Sequence, residues 1–166
     1  MPLIPTIPAG SDVFIDANIF VYGLNYRSNQ CLQLLQRCSR EEVIGISLFE
    51  IVNEATHVFM LEEAHRKGLI GKPHASELKR DPSVIPSLID YWLDTERILA
   101  LNLLLFPTDE QIVRNAQSQR QSASVLTNDS MILSWMRAFG ITHLATADRD
   151  FNGATGITVF GPDDVV

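Results

Sequence analysis

Six acidic side chains in this sequence stand where charge can be gathered: Asp16, Glu50, Glu54, Asp129, Asp148 and Asp150. Asp16 directly follows the apolar run Val13-Phe-Ile15, and Asp148 closes the segment His143-Leu-Ala-Thr-Ala-Asp148. Each segment reads as a buried strand ending in an aspartate. In open parallel α/β sheets, ligands bind beyond the carboxyl ends of the strands. Two such strands can therefore bring two carboxylates into one cleft. Clustered carboxylates are the usual way to hold Mg²⁺, which takes oxygen ligands and keeps several of its waters. The chemistry implied is metal-dependent chemistry on phosphates.

Each acid also has a plainer reading. Asp16 is a favoured N-cap for a following helix, and Asn18 either orients it or serves a turn. Glu50 and Glu54 share one helix face with His57. At about 100° per residue, Glu54 lies about 40° to one side of Glu50 and His57 about 20° to the other. That face is also an ordinary solvated one. Asp129 falls in the first turn of a helix, where the macrodipole favours negative charge. Asp150, two residues after Asp148, sits in a loop of the kind whose charges are commonly just exposed. The acids gain weight together, because three of them lie at strand or helix ends facing one sheet edge.

The elements that must position these acids alternate between strand and helix. Val13–Ile15 is a short strand, followed by a helix over Asn18–Tyr26 that resumes, after a break, through Cys31–Cys38. Glu42–Ile46 reads as a second strand, and Ser47 with Glu50 has the spacing of a capping box for a helix over Leu48–Lys67. Gly68–Pro82, with two glycines and two prolines, reads as a loop. A helix is expected over Ser83–Ala100, with Pro86 tolerated in its first turn. The apolar run Leu101–Phe106 is expected to be a central strand. A helix over Asp109–Arg120 opens with a Thr108 to Gln111 box, and a polar loop covers Ser118–Ser124. Thr127 or Asn128 then caps a helix that Gly140 closes after Phe139. Strands near His143–Ala147 and Ile157–Phe160 complete a mainly parallel sheet covered on both faces, a three-layer α/β/α arrangement.

The 166 residues suit one domain over 1–166, with 1–11 as an N-terminal extension. The composition, 46% hydrophobic and 20% charged, is that of a globular protein. No apolar run reaches membrane-spanning length, and the N-terminus lacks a signal-peptide pattern, so a cytoplasmic protein without a membrane partner is expected. Cys31 and Cys38 are two helical turns apart, too far for a disulfide, and read as packing residues. No zinc-like spacing occurs. The net charge of −7 argues against a general basic coat for nucleic acid, but not against an enzyme that acts on it. Arg66, Lys67, Lys72, Lys79, Arg80 and Arg149 are available for a local basic rim.

These segments resemble the PIN-domain family of metal-dependent ribonucleases, which includes VapC-like toxins of toxin–antitoxin pairs. Val13–Tyr22 is similar to the family's opening strand and first acid, and Asn53–Met60 to its second acidic segment. Asn128-Asp129 resembles the third, and Leu144-Ala-Thr-Ala-Asp-Arg-Asp-Phe151 the closing one. The resemblance implies that Asp16, Glu54, Asp129 and Asp148 form the catalytic and metal-binding set, with Glu50 competing for the second position. It further implies Mg²⁺ or Mn²⁺ as cofactor, an RNA substrate cut by water to leave a 5′-phosphate, and often a homodimer inhibited by a small antitoxin. A haloacid-dehalogenase-like phosphatase would carry Asp-x-Asp after its first strand, where position 18 is asparagine. A receiver domain would carry a late lysine, and none follows Lys79. A PIN-like scaffold with a weak metal site, acting as a binding protein, is the remaining alternative.

Overall fold

Alternating apolar strands and amphipathic helices produce a sheet of five parallel strands in the order β3-β2-β1-β4-β5. They are β1 (Asp12–Ile15), β2 (Ile44–Leu48), β3 (Leu104–Phe106), β4 (His143–Ala145) and β5 (Thr158–Phe160). Seven α-helices connect them: α1 (Ala17–Leu24), α2 (Asn29–Ser39), α3 (Phe49–Arg66), α4 (Ala75–Arg80), α5 (Asp90–Leu99), α6 (Glu110–Ala123) and α7 (Thr127–Ala138). The computed structural model describes all residues from Met1 to Val166. The chain runs outward from β1 through β2 to β3, then returns to the other side of β1 for β4 and β5. Strand order thus reverses beside β1, and the crevice at the carboxyl ends of β1 and β4 is a topological switch point.

The helices shield the sheet with one large core, in which Phe14, Ile15, Ile19, Phe20, Leu34 and Leu133 are buried. Ile4 and Ile7, ahead of β1, join this core. Cys31 and Cys38 are free and buried, and burial pushes both thiols up to about 11. Cys38 packs against Gly45 of β2, where an added Cβ would lie 2.7 Å from its sulfur. A smaller cluster of Leu61, Ala64, Ile70, Leu78 and Leu88 holds the segment after α3. No helix is long and apolar enough to cross a membrane.

Several local expectations are corrected. Ser47 does not cap α3: it lies in β2, and its hydroxyl donates to Ile15 O across the sheet at 2.8 Å. The helix starts after Leu48 without a side-chain cap. The supposed loop Gly68–Pro82 contains α4, and the helix expected over Ser83–Ala100 is divided into a 3₁₀ segment, Pro82–Ser87, and α5. Pro86 lacks an N–H and disfavours α geometry in the residue before it, which accounts for the division. Asp109, not Thr108, caps α6, accepting from Ile112 N at 2.8 Å, and α6 continues through the supposed polar loop to Ala123. α7 begins after Leu126, so Thr127 and Asn128 lie inside its first turn. β3 is an edge strand rather than a central one, pairing only with β2.

Candidate active site

The switch-point crevice is built on the register of β1 and β4. Ile15 pairs with Ala145, so the next residues, Asp16 and Thr146, face each other where the strands end. Asp16 Oδ2 accepts from Thr146 Oγ1 at 2.6 Å and from Asn18 Nδ2 at 2.6 Å, and Oδ1 accepts from Ala17 N at 2.7 Å. Asn18 also accepts from Ala147 N at 2.9 Å, and Thr146 Oγ1 accepts from Asp148 N at 2.9 Å. Asp16 therefore does cap α1, and it also ties β1, α1 and the β4 loop into one knot. Its capping and its place at the strand end are compatible.

Asp129, Asp148 and Asp150 come together at this crevice. One carboxylate oxygen from each lies within 4.8 Å of the others. α7 delivers Asp129 from its first turn. The loop after β4 delivers Asp148 and Asp150, and Asp148 Oδ1 accepts from Asp150 N at 2.9 Å. Asp150 is the residue that sequence reasoning set aside; the alternate spacing Asp148-Arg-Asp150 was its one signal.

Glu54 and Glu50 part company. Glu50 Oε1 accepts from Thr108 N at 3.1 Å, which turns it toward the β3–α6 loop. Glu54 Oε2 accepts from Asn128 Nδ2 at 3.3 Å, beside Asp129. His57 is exposed on the same helix.

Electrostatics join the two halves of the site. Burial raises Asp16 to about 6, against the hydrogen bonds from Thr146 and Ala17, and the charges of Glu54 and Asp129 push it further in the same direction. Asp129 is also raised, by burial first, then by Asp148 and Asp150. Burial is the larger cause of both shifts, and the neighbouring negative charges add to it; such shifts concentrate at functional sites. The donor set is all carboxylate oxygen, which fits a hard divalent ion such as Mg²⁺ or Mn²⁺.

Of the basic residues considered for a rim, Arg66 pairs with Asp90 at 2.9 Å, Lys67 with Glu63 at 2.5 Å, and Arg80 with Glu77 at 2.7 Å. Arg149 faces a separate cavity with Asn152 and Asp163. The largest cavity, about 540 Å³, lies away from the aspartates, between the end of α1, α3 and α5. Its acids are each satisfied within the chain: Glu62 by Arg27 and Asn25, Glu63 by Lys67, Asp90 by Arg66, and Asp94 by Arg97.

Fold and geometry together define a class: a parallel α/β domain with carboxylates gathered at the switch-point crevice. The chain belongs to the PIN-domain family, whose model matches residues 13–156; PIN domains are a family of nucleases. The fold is that of VapBC2 from Rickettsia felis, solved bound to a DNA fragment from its promoter, with a TM-score of 0.60 at 12% identity, covering 92% of this chain and 99% of that one. A toxin–antitoxin complex from Klebsiella pneumoniae is similar at a TM-score of 0.54 and 15% identity, over 88% of this chain and 95% of that one. PAE2754 from Pyrobaculum aerophilum gives a TM-score of 0.53 at 12% identity, over 90% and 91%. At these identities the likeness is one of fold. Among curated proteins, none matches this chain.

Proposed function

We propose that the protein is a divalent-metal-dependent endoribonuclease and the toxin of a toxin–antitoxin pair. The observation that carries this reading is the convergence of Asp129, Asp148 and Asp150 within 4.8 Å, next to Asp16, in a chain of the PIN-domain family. Asp16, Glu54, Asp129 and Asp148 are the residues that would hold Mg²⁺ or Mn²⁺, and Asp150 adds a fifth carboxylate. A divalent cation held there supplies Lewis acidity toward water and the phosphate. Thr146 and Asn18 fix the Asp16 carboxylate, the role that outer-shell hydrogen bonds play around metal ligands. Asn128 does the same for Glu54. Water is the nucleophile, and the product carries a 5′-phosphate.

The whole chain acts as one domain in this reading, with residues 1–11 as its N-terminal extension, working in the cytoplasm. A small antitoxin and a second copy of the chain are its protein partners. That two of the similar structures are toxin–antitoxin complexes supports the first. Exposed apolar side chains, among them Leu104, Phe106 and Phe139 at the β3 edge, Ile89 just before α5, and Trp92 and Leu93 on it, supply surface of the kind protein partners cover.

The test is cleavage of single-stranded RNA by purified protein in Mg²⁺, Mn²⁺ or EDTA. Cleavage is expected with metal and not with EDTA. Asp16→Asn and Asp148→Asn should each abolish it while the circular dichroism spectrum stays that of the parent. Intact RNA in both metals would contradict the reading and favour a binding scaffold.

A further inference from the structure

A polyanionic strand approaching a protein of net charge −7 meets long-range repulsion, so it must be gripped by a cation placed at the site itself. One guanidinium meets that requirement. Arg27, in the turn between α1 and α2, lines an open cavity of about 240 Å³ together with Ala17, Asn18, Tyr22, Glu54 and Glu62. Asn18 and Glu54 belong to the carboxylate site; Arg27 is the one base in this lining.

Arg27 is held in place from several sides. Its N–H donates to Tyr22 O at 2.8 Å, and its carbonyl accepts from Val166 N at 3.0 Å. Its Nε donates to Val166 O at 2.9 Å, and its guanidinium carbon lies 4.9 Å from the centre of the Tyr22 ring. The outer edge is left lightly used. Nη1 reaches Glu62 Oε1 only at 3.5 Å, and Nη2 makes no hydrogen bond. Glu62 keeps a second partner in Asn25 when Arg27 turns to something else. A planar guanidinium, fixed at Nε and stacked on an aromatic ring, has Nη2 free and Nη1 in only a long contact with Glu62, so a phosphate oxygen can take Nη2 directly and compete with Glu62 for Nη1 with little further ordering.

We infer that Arg27 grips the phosphate backbone of the RNA strand beside the scissile bond, with the strand lying along the trough from Glu54 past Asn18 and Tyr22. This rests on the nuclease reading for its substrate, yet its test separates the two. Parent, Arg27→Gln, Arg27→Lys and Arg114→Gln are compared; Arg114 is an exposed arginine of α6 paired with Glu110 and matches the charge change. The probe is a fluorescein-labelled single-stranded RNA 12-mer, read by anisotropy in EDTA over a range of salt, and by cleavage in Mg²⁺. Arg27→Gln is expected to weaken binding about tenfold, the loss of about one charged contact, and to lower the slope of log K against log[salt] by about 0.7. KM should rise by a similar factor with kcat nearly unchanged. Arg27→Lys should restore the salt slope, and Arg114→Gln should leave binding and slope as in the parent.

Failure of the nuclease reading looks different: a parent that binds RNA with the Arg27-dependent slope but does not cut it leaves this inference standing. A fall in melting temperature for Arg27→Gln with an unchanged affinity and salt slope would overturn it, showing that Arg27 only anchors the chain around Val166. Equal losses in Arg27→Gln and Arg114→Gln would also overturn it. So would a parent without measurable RNA affinity, in which case the trough is left to a protein segment.

Discussion

Two buried carboxylates in this molecule have been driven in opposite directions. Asp16, 8% exposed, is pushed up to about 6, whereas Glu63, 2% exposed, is held down at about 2. Burial alone would raise both. Glu63 escapes because Lys67 and the N–H groups of Tyr91, Ile89 and Asp90 outweigh desolvation. It accepts from Ile89 N at 2.9 Å and Tyr91 N at 2.8 Å, and so caps α5, which has no side-chain cap of its own. Asp16 also accepts hydrogen bonds, but the charges facing it, Glu54 and Asp129, are negative. Glu63 is completed by its own chain. No cation of the chain faces Asp16, and under the proposed function a bound divalent ion would take that place.

The sharpest way to break this contrast is on the α3 glutamates. Glu54→Gln should reduce RNA cleavage by at least about 10³-fold, upward of about 4 kcal/mol in the barrier. Glu50→Gln, which keeps an oxygen for Thr108 N, should cost about 1 kcal/mol of stability or less and leave the rate near the parent's. The reverse pattern in single-turnover assays would move the ligand to the wrong helical turn for this account. Next in size is Glu63→Ala, which strips α5 of its cap and orphans two N–H groups. It should cost about 4 kcal/mol in urea denaturation, with the cleavage rate per folded molecule unchanged. A small stability loss would mean that water replaces the carboxylate at no great cost.

pH separates the same two groups by sign. Glu63 binds its proton less tightly folded than unfolded, so its contribution is present above about 4.5 and fades as pH falls toward 2. Asp16 binds its proton more tightly folded. In EDTA its ionisation therefore removes stability as pH rises from 3.8 to about 6, up to about 3 kcal/mol. Saturating Mg²⁺ should abolish that decline. Melting temperatures in EDTA that stay level between pH 4 and pH 7 would show that burial and the neighbouring charges do not hold the Asp16 proton as described.

What the sequence disclosed and what it hid follow from the range of the interactions. Asp16 was legible because it directly follows an apolar strand, a local pattern with one geometric consequence; Asp148 was legible only in outline, because β4 ends at Ala145 and the acid sits in the loop that follows. The three-layer parallel fold was legible from the alternating periods. Ser47 misled because its hydroxyl is taken by Ile15 O, a cross-strand partner that no local spacing announces. Leu101–Phe106 misled because a hydrophobic run says that a strand exists but not where it lies in the sheet. Asp150 looked like a loop charge until β4 and α7 brought it beside Asp129. Nothing in Leu61-Glu-Glu-Ala64 distinguishes the buried Glu63 from its neighbour; only the arrival of α5 does.

The crevice acids Asp16 and Asp129 face like charge without a cation, and under the proposed function a divalent ion relieves them. Thermal melts of the parent and of Asp129→Asn, each in EDTA and in excess Mg²⁺, test it without any knowledge of the RNA. Removing one like charge should stabilise the metal-free protein by about 1 kcal/mol. Mg²⁺ should raise the parent's melting temperature, because it binds the folded cluster and not the unfolded chain. It should raise the variant's much less. An equal Mg²⁺ shift in both proteins, together with a variant no more stable than the parent in EDTA, would contradict the account and reduce Asp129 to a charge at a helix end.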